Sequence, residues 1–109
     1  MIALEVSKNG ERVCIAGAED LGVLAAHVSA VGRLGTATVP IRPDEGEPHI
    51  HFSVSGLTRR ADPNADVHPR WQGITSLAVG DEITVRVLET DVADPAVSEA
   101  PAKCDPENR

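Results

Sequence analysis

Residues 17–31 read Gly17-Ala18-Glu19-Asp20-Leu21-Gly22-Val23-Leu24-Ala25-Ala26-His27-Val28-Ser29-Ala30-Val31. Leu21, Leu24, Val28 and Val31 recur at helical spacing, which predicts a helix over about 20–31 that buries one narrow stripe. Glu19 and Asp20 suit its N-terminus electrostatically, with Asp20 as the cap, and Gly32 and Gly35 end it. Ala25 and Ala26 would let it approach a sheet closely, and His27 would flank the stripe, partly buried and hydrogen-bonded.

Upstream of this segment the pattern has period two. Ile2, Leu4 and Val6 alternate with Ala3, Glu5 and Ser7, and after Asn9-Gly10 the residues Val13 and Ile15 alternate with Arg12 and Cys14. Asn-Gly favours a type I′ hairpin because both central residues need positive φ. A two-residue loop there pairs Lys8 with Glu11, Val6 with Val13 and Glu5 with Cys14, so apolar side chains meet on one face.

Downstream, Ala37, Val39 and Ile41 alternate with Thr36, Thr38 and Pro40, an edge strand or a short one because Pro40 donates no hydrogen bond. An acidic turn follows over 43–48, and then Ile50, Phe52 and Val54 form a half-buried strand. Residues 56–72 show no period and read as a long loop, with Ile74 and Leu77 anchoring a short helical turn. Ile83, Val85 and Val87 form the last strand.

The expected fold is therefore α+β: a compact mixed or antiparallel sheet of about five strands with one packed helix, in the order β-β-α-β-β-loop-β. That order resembles the β-grasp, or ubiquitin-like, arrangement. The conjugating and sulfur-carrier members of that group end in Gly-Gly, whereas this sequence ends Pro106-Glu107-Asn108-Arg109, so that role is not carried over. A small β-barrel is the alternative fold. The expected organisation is one globular domain over 1–91 and an acidic, proline-containing flexible tail over 92–109; the last 21 residues, 89–109, carry 6 acids and 2 bases.

The 109 residues carry a net charge of -7, with 41% apolar and 2% aromatic residues. Such a balance disfavours nucleic acid, whose binding depends on basic side chains at phosphates and aromatic faces under bases. No stretch approaches the ~20 apolar residues of a membrane span. The N-terminus lacks the basic and apolar regions of a signal peptide, so the expected compartment is cytoplasmic with Cys14 and Cys104 reduced.

Neither thiol has a basic neighbour. Cys14 is expected opposite Glu5 on the face away from the core, and Cys104 sits among acids, so both read as non-catalytic. With no nucleophile elbow, phosphate loop or His-Glu-x-x-His pattern, no enzyme activity and no cofactor are expected. Arg59, Arg60, Arg70 and Trp71 are the candidate binding residues, since Arg and Trp are frequent interface anchors. Together these features point to a small acidic, non-catalytic protein-binding domain. An inhibitor or immunity-type protein that occupies a basic partner's surface is its specific form. The alternative is a small metal- or ligand-binding domain, because His49 and His51 share one strand face.

Overall fold

The computed structural model describes residues 1–35 and 48–101. Two antiparallel sheets face each other. The first has the order β2-β1-β6, from Ile2–Lys8 (β1), Glu11–Ala16 (β2) and Ile83–Glu89 (β6). The second has the order β3-β4-β5-β7, from Leu21–Val31 (β3), His49–Thr58 (β4), Val67–Ser76 (β5) and Ser98–Pro101 (β7).

The expected helix over 20–31 is strand β3, so the α+β, β-grasp-like reading is overturned by a nearly all-strand fold. The reason lies in what the helical spacing left out. The segment Leu21–Val31 contains no Lys, Arg, Glu or Gln to solvate the back of a helix, and Val23, Val28 and Val31 are β-branched. The same residues also alternate, with Leu24, Ala26 and Val28 on one face. Those three lie opposite Gly56, Val54 and Phe52 of β4, and a partner strand of matching length decides the outcome.

The Asn9-Gly10 hairpin is present, with φ of 52° and 84° at the two turn residues. Asn9 does more than turn the chain. Its backbone N–H donates to the Glu82 carbonyl at 2.8 Å, its Oδ1 accepts from the Glu82 N–H at 2.8 Å, and its Nδ2 donates to Asp81 Oδ1 at 3.1 Å. The Asp81 carboxyl is held below its ordinary range by the Ala78 N–H and then by Asn9.

The expected register holds for Lys8–Glu11 and Ser7–Arg12, then shifts by one at a bulge, so that Val6 faces Cys14 and Leu4 faces Ala16. Cys14 is thereby turned into the core, not away from it.

Residues 56–72 are not one long loop. Gly56–Thr58 complete β4, a short connection contains a 3₁₀ turn at Pro63–Ala65, and Val67–Ser76 is β5, which also replaces the expected helical turn at Ile74 and Leu77. Pro69, Gly73 and the bulges against β4 break the alternation that would have revealed the strand. Of the expected tail, residues 92–101 pack against the domain, with β7 paired to β5 from Arg70 to Val67. The expected strand over 36–41, the acidic turn up to Glu47 and Cys104 lie outside the described residues.

Val6, Cys14 and Ala16 from the first sheet meet Phe52, Val54 and Trp71 from the second to form the core. Among the described residues it is small, with Phe52 and Trp71 its largest buried side chains. Ile2, Val28, Val85 and Val87, all expected inward, are exposed, so the two apolar faces overlap only in part. Packing is closest at Gly56, where an added Cβ would lie 2.6 Å from the Val23 carbonyl oxygen and 3.6 Å from the Trp71 ring. Gly56→Ala is expected to cost about 1–3 kcal/mol in urea unfolding, because a backbone contact cannot yield like a side chain. Gly35→Ala, where nothing among the described residues lies within 4 Å, serves as the matched control with a much smaller effect.

Candidate functional site

Trp71 reaches the core because β5 runs beside β4, and its ring stacks over the Gly56 backbone. Its indole Nε1 donates to the Asp94 carbonyl at 2.8 Å. Asp94 in turn engages the edge of β2 twice: its N–H donates to the Ile15 carbonyl at 2.8 Å, and its Oδ2 accepts from the Ile15 N–H at 2.8 Å. One residue thus ties both sheets together at the end where the β6–β7 connection crosses.

A pocket of about 290 Å³ opens beside this junction. Its apolar wall includes Trp71, Pro69, Val67 and Pro95. Its charged lining is Asp20, Asp94, Glu99 and Arg60. Arg60 is already spent: its Nε lies 2.9 Å from Asp20 Oδ2 and its guanidinium donates to the Ala65 carbonyl at 2.7 Å. The loop beneath is fixed by Asp66, whose Oδ1 accepts from the buried Thr58 hydroxyl at 2.9 Å and from the Arg60 N–H at 2.8 Å. Thr58 completes the pair by accepting from the Val67 N–H at 2.9 Å.

Of the four residues singled out from sequence, the structure brings Arg60 and Trp71 to this one pocket. Arg59 follows Asp20 through its backbone N–H, and its Cβ stands over Gly22. Arg70 lies exposed on β5, opposite Ser55 and Ser98. The acids that give the pocket its charge, Asp20, Asp94 and Glu99, are not among the binding residues expected from sequence. Asp94 falls in the expected tail, and the sequence signal that marks it is the Asp94-Pro95 dipeptide, a turn signal in an acidic stretch.

His49 and His51 do share the outer face of β4, opposite Val31 and Ser29, and His27 joins that face opposite Ser53. Among the described residues, however, no group of three or more His, Cys, Asp or Glu is placed to hold a metal ion. Nor is any described helix long and apolar enough to cross a membrane.

Cys14 is buried across from Val6 and 5% exposed. Burial raises its thiol above the ordinary range, and the nearby Asp94 carboxylate adds to the rise. A folded-state acid with a raised pKa keeps its proton longer than the unfolded chain does, so its contribution is complete at low pH and is lost as pH climbs past the unfolded value. Unfolding free energy is expected to fall from about pH 8 to pH 10 in the natural chain, where an unperturbed thiol titrates, and Cys14→Ala should flatten that fall. Urea titrations across this range, compared between the two proteins, check it.

Comparison with protein-family models, curated proteins and solved structures gives no match to this chain.

Proposed function

We propose that this chain is a small acidic, non-catalytic protein-binding domain, of inhibitor or immunity type, that acts by occupying a partner's surface. The observation that carries the reading is the outer edge of β3. Among the described residues β3 is an edge strand eleven residues long, with no proline, lysine, arginine or acid to blunt it. Natural edges of this length are commonly guarded by such residues, because an open row of N–H and C=O groups is a template for another strand.

Val23, Val28 and Val31 project from it and are each more than half exposed, and Ile2, Val85 and Val87 add apolar surface from the first sheet. An extended segment of a partner could pair along β3 through its backbone and set alternate side chains against these valines. The net charge of -7 supports a basic partner, since complementary charge speeds encounter and repels acidic competitors.

Lysines placed on the edge test this. In the double variant Val23→Lys, Val28→Lys the fold should persist, because both side chains are exposed, and the far-ultraviolet circular dichroism should be unchanged. The natural chain is expected to retain a partner from its host's lysate that the double variant loses. Equal retention by both proteins would sink the β3 reading. A natural chain that runs as a dimer beside a monomeric variant would identify the partner as a second copy.

A further inference from the structure

We propose that the pocket beside Trp71 receives a basic side chain, lysine or arginine, from the partner. This rests on the protein-binding reading above and specifies what the partner must present. Its lining contains three carboxylates against one guanidinium, and that guanidinium is committed to Asp20 and to the Ala65 carbonyl. Among the described residues the surplus is therefore negative. Asp94 uses Oδ2 on the Ile15 N–H, and among the described residues its Oδ1 has no partner. Glu99 stands exposed on β7, and among the described residues neither of its oxygens is engaged by a side chain.

The opposite wall is a different kind of surface. Trp71, Pro69, Val67 and Pro95 line the cavity, and the indole is fixed by its bond to the Asp94 carbonyl. A bare metal ion gains nothing from such a wall, and an anion is repelled by the acids. A charged tip on a chain of methylenes satisfies both halves: the stem lies along the prolines and indole while the tip meets the carboxylates. The volume, about 290 Å³, lies at the low end of small-molecule sites and suits one side chain.

Trp71 is the only tryptophan and the chain has no tyrosine, so its emission reads this one indole, which lines the pocket. Titrating the full chain with n-butylguanidinium chloride, and separately with n-butylammonium chloride, should give a saturable change in that emission with Kd of about 1–10 mM. Added salt should weaken it. An equal concentration of 1-butanol, which has the stem without the charge, should give no saturation. Glu99→Gln is expected to weaken the cation about two- to fivefold, the scale of one exposed charge, without altering thermal stability.

No saturable change, an equal response to 1-butanol, or an unaltered Kd in Glu99→Gln would each overturn the proposal. These outcomes are separable from failure of the binding reading itself. A partner retained through β3 with a silent pocket removes only this inference. A pocket that binds the cations while no partner depends on β3 removes only the other.

Discussion

Asp94 holds the two sheets in one structure. The core it closes is small, built among the described residues around Val6, Cys14, Ala16, Phe52, Val54 and Trp71. Three bonds of 2.8 Å converge on this one residue, two from the β2 edge at Ile15 and one from the Trp71 indole. Asp94 pairs the Ile15 N–H and carbonyl at the edge of β2 within the fold. Everything at that end follows. The indole can lie over Gly56 because its N–H is satisfied, β7 can pair with β5 because the connection has been pinned, and the pocket has a roof.

Local signals in the chain were readable and nonlocal ones were not. Asn9-Gly10 specifies its turn from two residues, and the turn is there with both positive φ values. Two rungs further along, the bulge that turns Cys14 inward is set by how the hairpin must twist to face the other sheet, which no pairwise pattern encodes. The segment Leu21–Val31 fits a helix by spacing and a strand by composition, and the decision belongs to β4, some twenty residues later. At β5 the alternation is interrupted by Pro69 and Gly73, so a strand looked like a loop.

The candidate site divides in the same way. Trp71 stands out from sequence because a lone indole in an aromatic-poor chain must be placed with care, and it does line the pocket. Arg60 stood out for its charge, yet that charge is used at home to hold Asp20 and the Ala65 carbonyl. The pocket's electrostatic character is therefore opposite to the one its conspicuous arginines suggested. Asp94 and Glu99 come from a stretch whose composition alone reads as solvated tail, and only its pairing with β2 and β5 gives it a position.

The strand order of the first sheet also bears on how the chain is made. β1 lies between β2 and β6, and Lys8 pairs with Ile83 at one end while Ile2 pairs with Glu89 at the other. During vectorial synthesis the hairpin of β1 and β2 is complete early, yet one long side of β1 must stay unpaired until most of the chain has left the ribosome. The second sheet faces no such delay, since β3, β4 and β5 pair in the order they appear. The chain thus passes through an interval in which half its architecture can form and the other half waits on a distant strand, the situation in which nascent sheets are most exposed to wrong partners.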